Sequence, residues 1–124
     1  MLINLSNHPS EKWESKQSQE AINTYGIITD LPFPAINPEW TSAEVTKKAE
    51  LFFNKIGLIF DECANEPKPN AVHIQGEFTF VFQLVTLLKR SGIKCLASTS
   101  KRNVEELDNG QKIVNFSFIQ FRKY

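Results

Sequence analysis

A chain of 124 residues is long enough for one domain with one core, since a domain of this size hides roughly two thirds of the surface its unfolded chain exposes. Lys and Arg number 14 and Asp and Glu number 14, so the formal charge is zero; this argues against a protein that tracks long nucleic acid by its phosphates, and any anionic ligand must be met by a local site. Cys63 and Cys95 form no CxxC or Cys/His spacing, no window reaches the roughly 18 apolar residues that span a bilayer, and MLINLSNH has no basic region or cleavage-site pattern; the expectation is a reduced, cytoplasmic single domain over residues 1–124 with no metal, no cofactor and no membrane contact.

In chain order, LINL at residues 2–5 reads as a short buried strand that runs into Ser6-Asn7-His8-Pro9-Ser10, where Pro9 disfavours helix at His8. Trp13, Gln17, Ala21, Ile22 and Tyr25 recur at helical spacing over 11–25, and Gly26 is a stop signal. Residues 27–31 form a second strand, cut by Pro32-Phe33-Pro34, and a loop rich in proline and asparagine leads to Trp40. Thr41 or Ser42 caps a long helix with Val45, Ala49, Phe52, Phe53, Ile56, Ile59 and Phe60 on one face, ended by Pro67 and Pro69.

Residues 71–74 form a third strand, Gln75-Gly76-Glu77 a turn, and residues 78–90 a helix expected to bury Phe78, Val81, Phe82, Val85 and Leu88 before Gly92. A fourth strand covers 93–97, and STSKR at 98–102 is expected to be a loop. Residues 104–107 and 113–121 flank Asp108-Asn109-Gly110, a strong hairpin signal.

This order predicts an α/β fold: a Rossmann-like, mainly parallel sheet flanked by helices and ending in a C-terminal β-hairpin. Such sheets take ligands beyond the carboxyl ends of their strands, where four loops are expected: 6–10, 30–34, 75–77 and 98–102. The last carries three hydroxyls and two cations with neither glycine nor proline, a composition suited to an anion. No GxGxxG, GxxxxGK[ST] or GxSxG is present, so neither a nucleotide fingerprint nor a hydrolase elbow is supported.

Gln75-Gly76-Glu77-Phe78, then Gly92-Ile93, then the run from Ala97 through Ser98, Thr99, Ser100, Lys101 and Arg102 to Glu105, then Phe116 to Tyr124 with its terminal Phe-Arg-Lys-Tyr, resemble the small CRISPR-associated ring nucleases. The Asn7-His8 loop and Leu31-Pro32 are similar as well. Glu77 stands where that family usually has aspartate, Thr79 where glycine is common, and Ser98 and Ser100 flank a single threonine. The resemblance implies a CARF-like (CRISPR-associated Rossmann) domain, usually a homodimer. It would bind cyclic tetra-adenylate and cut it to linear di-adenylate with a 2′,3′-cyclic phosphate, switching off type III CRISPR signalling. The alternative is a sensor or sponge that binds the messenger without cutting it.

In that chemistry the substrate's own 2′-hydroxyl is the nucleophile, so the protein needs to align it, stabilise the phosphoryl oxygens and move protons; no metal is required in principle. Lys101 and Arg102 are the candidates for phosphate stabilisation, with Ser98, Thr99 and Ser100 filling the remaining oxygen positions; the plain reading is a solvated loop. His8 is the candidate general acid or base, or else a hydrogen-bonding loop residue. Ser6 and Asn7 accompany it in the same loop, Asn7 as an orienting group for ribose or phosphate.

Gly76 would let backbone approach a ligand between Gln75 and Glu77, and Glu77 either reads adenine or ribose or favours the first turn of a helix. Arg122 pairs with a carboxylate at a dimer seam or reaches the ligand. Asp30 and the Pro-Phe-Pro loop would wall a base, unless Phe33 plugs the core. His73 reads as a core residue.

Overall fold

A computed structural model describes residues 1–124. Its elements are strand β1 (Leu2–Ser6), a 3-10 turn (Ser10–Lys12), helix α1 (Ser15–Tyr25), strand β2 (Ile28–Asp30), helix α2 (Ser42–Glu62), strand β3 (Ala71–Gln75), helix α3 (Phe78–Arg90), and strands β4 (Lys94–Glu106) and β5 (Lys112–Lys123). The fold is α/β, with a five-stranded mixed sheet of order β2-β1-β3-β4-β5 flanked by helices. The pairs β1/β2, β1/β3 and β3/β4 are parallel, and β4/β5 form a C-terminal antiparallel pair.

Strands β1 and β3 are buried on both faces, which is why they read as near-continuous apolar runs. One face packs Ile3, Leu5, Val72, Ile74 and Cys95 against α2 and α3. The other packs Leu2, Ala71 and Leu96 against Trp13, Ala21 and Tyr25. Helix α2 opens with a capping box: Thr41 Oγ1 accepts from the Glu44 backbone at 3.3 Å, and the Glu44 carboxylate accepts from the Thr41 backbone at 2.7 Å.

Three expectations are corrected. Helix α1 begins at Ser15, not near residue 11, because Trp13 and Glu14 adopt extended backbone and the Trp13 indole turns into the core. On α3, Phe78 and Phe82 are 88% and 69% exposed; the buried stripe is Phe80, Val81, Leu84, Val85 and Leu88. At about 100° per residue, that stripe runs from Phe80 through Leu84, Leu88 and Val81 to Val85, and positions 78 and 82 fall beyond its Val85 edge.

The third correction concerns residues 98–102, which are not a loop. They continue β4 without interruption to Glu106, paired throughout with β5. The reason was visible in their composition: nothing from Ala97 to Glu106 is a glycine or proline, so nothing ends the strand. Strand β3 supports β4 only over Lys94 to Leu96, and beyond that β4 and β5 leave the sheet as a two-stranded arm. Its tip closes with hydrogen bonds from Leu107 N to Gln111 O at 2.7 Å and from Gly110 N to Leu107 O at 2.9 Å. Gly110 has φ of 82°, the left-handed conformation that a three-residue hairpin loop demands at that position.

Candidate functional site

The carboxyl ends of β1 and β3 lie beside the stretch of β4 where the arm departs. His8 from the loop after β1, Glu14 at the N-cap of α1, Gln17 from α1, Ser98, Thr99 and Ser100 from β4, and Phe116 and Phe118 from β5 surround a cavity of about 180 Å³. The site is thus assembled from both sides of the α1 layer and the root of the arm.

Strand alternation decides which arm side chains face the cavity. Ser98 lies opposite Phe121, Ser100 opposite Phe118 and Arg102 opposite Phe116, so these pairs share the face covered by α1. Lys101, opposite Ser117, is on the other face. Lys101 and Arg102, adjacent on the strand, lie on opposite faces, Arg102 on that of Ser98 and Ser100, and neither lines the cavity. A register shift between Thr99 and Ser100 leaves Ile119 without an opposite residue. This bulge puts Phe118 and Phe121 on the same face, their ring centroids 5.0 Å apart.

Below the cavity runs a continuous chain of polar side chains. Asp30 at the end of β2 accepts from Asn4 Nδ2 at 2.7 Å and from Ser10 Oγ at 2.8 Å and Ser10 N at 3.1 Å. Asn4 Nδ2 also donates to the His8 carbonyl at 2.9 Å, which in turn accepts from Trp13 Nε1 at 3.1 Å and Ser6 Oγ at 3.1 Å. Asn4 Oδ1 accepts from Ser6 Oγ at 2.9 Å and lies 2.8 Å from His73 Nδ1. His73 Nε2 is 3.1 Å from Gln75 Oε1, which is 2.5 Å from Ser98 Oγ, and Gln75 Nε2 is 3.0 Å from the Ser98 carbonyl. Four strands are thereby tied together by Asp30, Asn4, His73, Gln75 and Ser98, and the last of these opens on the cavity.

Burial shifts the ionisable members. His73, 1% exposed and boxed edge-on by Trp13 and Phe121, is pushed down to about 4 by burial; Gln75 opposes that shift and His8 adds to it. Burial pushes the Asp30 carboxyl up, but hydrogen bonds from Asn4 and Ser10 outweigh it and hold the group below its usual range. No group of three or more His, Cys, Asp or Glu side chains is gathered where it would hold a metal.

The other expected residues take different places. The open side of Gly76 is filled by Phe33, whose ring lies 2.2 Å from where a Cβ would stand and meets Phe80 at 5.3 Å; Gly76 is a packing glycine, and Phe33 plugs the core. Glu77 caps α3, accepting from the Phe80 backbone at 2.8 Å and from Thr79 Oγ1 at 2.7 Å, and the Phe80 bond holds its carboxyl below the usual range. It is committed to the helix rather than to a ligand. Arg122, opposite Ala97, is on the face away from the cavity. Ser6 braces the His8 loop through Asn4, and Asn7 is exposed beside it.

Sequence reasoning missed Asn4, Glu14, Gln17 and the aromatic wall of Phe116 and Phe118. A signal existed for two of them: Asn4 interrupts the apolar run LINL, and Gln17 occupies an otherwise apolar helical stripe. A buried polar residue needs a partner: Asn4 finds Asp30, His73 and the His8 carbonyl, and Gln17 lines the cavity.

Among known proteins, a family model described as "Uncharacterized protein MJ1673 family" matches residues 1–122. No curated protein matches the chain, and no solved structure does. The chain belongs to the MJ1673 family.

Proposed function

We propose that this member of the MJ1673 family binds cyclic tetra-adenylate at the cavity beside the arm and cleaves it as a ring nuclease, on a Rossmann-like, CARF-like domain whose sheet is mainly parallel. The observation that carries the reading is the meeting of His8, Ser98, Ser100 and Phe116 where β1 and β3 end and β4 leaves the sheet, the edge where sheets of this kind take ligands. The substrate class is taken from the resemblance of the sequence to ring nucleases. Neutral overall charge agrees with a compact ligand met by a local site.

In this reading Phe116 stacks on a base, and Ser98, Ser100 and Arg102 stabilise the phosphoryl oxygens. The ribose 2′-oxygen attacks the adjacent phosphorus while the bond from phosphorus to the 5′-oxygen breaks. The proton of the 2′-hydroxyl passes to His8, and the leaving 5′-oxygen regains one from the same group or from water. The product end is a 2′,3′-cyclic phosphate. A cavity of about 180 Å³ is below the size of pockets that take drug-sized ligands, so a four-nucleotide ring needs a second copy of the chain to complete its site.

The test is incubation of the purified protein with cyclic tetra-adenylate in EDTA, followed by chromatography and mass spectrometry. Linear di-adenylate carrying a cyclic phosphate is the expected product. An intact ring with a ligand-dependent rise in melting temperature would leave the sensor or sponge, and an intact ring with no rise would remove this ligand altogether.

A further inference from the structure

Three amide or imidazole side chains are buried in the chain, Asn4, Gln17 and His73. Two of them are partnered inside it: Asn4 meets Asp30, the His8 carbonyl, Ser6 and His73, and the two ring nitrogens of His73 have neighbours at 2.8 and 3.1 Å. Gln17 is the exception. Only 7% of it is exposed, yet its amide makes no hydrogen bond within the protein. No side-chain nitrogen or oxygen is both sealed from solvent and unpartnered, so the Gln17 amide reaches open space, and the space this residue lines is the cavity beside the arm. The other buried residues of α1 are Ala21 and Tyr25; an unpaired amide between them and the cavity costs stability that an apolar side chain would not.

An amide holds an N–H donor and a carbonyl acceptor side by side in one plane, which suits a ring edge that presents an acceptor beside a donor. Glu14, three residues earlier, lines the same cavity; one of its carboxylate oxygens accepts from the Phe118 backbone at 3.4 Å, and the other remains as a second acceptor. Two acceptors and one donor match an exocyclic amino group beside a bare ring nitrogen. They oppose a keto group, whose oxygen would face the carboxylate. The same carboxylate turns phosphate away from the α1 side of the cavity and leaves it to the hydroxyls of β4. At about 180 Å³ the cavity is close to the roughly 150 Å³ that receives one benzene ring, so it takes one flat heterocycle and leaves sugar and phosphate outside. Phe116, mostly exposed, offers that heterocycle a ring face.

We propose that Gln17 and Glu14 select the base: the Gln17 amide pairs with the amino group and the neighbouring ring nitrogen of adenine, Glu14 accepts the second amino hydrogen, and the cavity therefore admits adenine and rejects its 6-oxo counterpart, hypoxanthine. The inference rests on the proposed function for a nucleobase as the occupant and for adenine over cytosine, whose amino group also stands beside a ring nitrogen. Neither residue moves a proton in the reaction; both touch the substrate and decide which base enters.

The experiment is a titration of the isotope-labelled chain with adenosine, inosine and cytidine, neutral probes without phosphate, followed by nuclear magnetic resonance at the Gln17 side-chain amide and at the backbone amides of Ser100 and Phe116. Adenosine is expected to shift the Gln17 signals and to bind about tenfold or more tightly than inosine. Gln17→Leu is expected to bind adenosine about tenfold more weakly while melting no lower than wild type, because an unpaired amide gives way to an apolar group of similar size. A purely structural Gln17 would do the reverse, lowering the melting temperature and leaving the base preference alone. Glu14→Gln, which can donate to a 6-oxo oxygen, is expected to close most of the gap between inosine and adenosine. Equal affinity for adenosine and inosine, cytidine bound as tightly as adenosine, an unmoved Gln17 amide, or a Glu14→Gln chain that still rejects inosine would overturn the proposal. Should Gln17→Leu fail to fold, the wild-type titrations and Glu14→Gln, at an exposed position, decide. Because the probes contain no phosphodiester, a protein that reads adenosine but leaves cyclic tetra-adenylate intact refutes the nuclease and keeps this result, whereas cleavage without an adenosine preference does the opposite.

Discussion

The body of the sheet and the arm that leaves it are built from one strand, β4, under opposite rules. As far as Leu96, β4 has neighbours on both edges and buries Cys95 and Leu96; from Ser100 to Glu106 it has β5 alone, and every residue from Ser100 to Glu106 is exposed. A two-stranded ribbon in water is marginal, so the arm is held by its root, where Phe118 is buried, Lys16 lies over the Phe118 ring, and Glu14 accepts from the Phe118 backbone at 3.4 Å. The difference teaches where selection for stability ends. Side chains in the body answer to packing, and those of the arm are free to answer to a ligand.

The sharpest way to break that comparison is to truncate one aromatic on each side of it. Phe80, with none of its surface exposed and both Phe33 and Phe52 edge-on to it, is expected to lose about 3–5 kcal/mol on change to Ala, read by chemical denaturation. Phe116→Ala, at a site 61% exposed, is expected to leave the denaturation midpoint nearly unchanged and to weaken cyclic tetra-adenylate binding instead. A large stability loss from Phe116→Ala would show that the arm is part of the core.

Next in size is the pH response of the body. The folded ring of His73 titrates near 4 against 6.5 when free, so the unfolded chain binds more protons between those values, and stability rises with pH across the window. The contribution is complete above 6.5 and is lost as pH falls toward 4, on the order of 3 kcal/mol for a shift of this size. Comparing urea midpoints at pH 7 and pH 4.5 in wild type and in His73→Phe isolates it, since the variant should lack that portion of the pH dependence.

Gly76→Ala is expected to cost about 1–3 kcal/mol, because the new methyl meets the Phe33 ring and that ring is wedged against Phe80. A ligand-binding defect without a stability defect would restore Gly76 to the site. The smallest effect on stability belongs to the arm cations. Arg102→Ala and Lys101→Ala are both expected within about 0.5 kcal/mol of wild type, but only Arg102→Ala should weaken cyclic tetra-adenylate binding, by about tenfold in a titration. Equal losses from both would contradict the assignment of the two side chains to opposite faces.

Much of the body was legible in the sequence because burial leaves a pattern. LINL and AVHI read as strands through their apolar runs, Thr41 and Glu44 announce α2, and Gly26, Gly92 and Asn109-Gly110 mark turns that the chain makes. The arm was misread because hydroxyls and cations look like a loop when only polarity is weighed; the absence of glycine and proline was the better guide. On α3 three phenylalanines compete for one narrow stripe, and their spacing alone does not say which of Phe78, Phe80 and Phe82 wins. The polar chain from Asp30 to Ser98 was hidden for another reason: it joins residues far apart in sequence, and only the strand order brings Asn4, His73 and Ser98 into line.

Strand β4 has 13 residues and runs unbroken from the buried thiol of Cys95 past Arg102, its pairing with β5 shifted in register once, between Thr99 and Ser100. It is a cantilever clamped in the core and loaded at its free part. A ligand that ordered the arm at Arg102 would be expected to slow attack of a thiol reagent on Cys95, a sulfur that burial already pushes up to about 11 and shields from reaction.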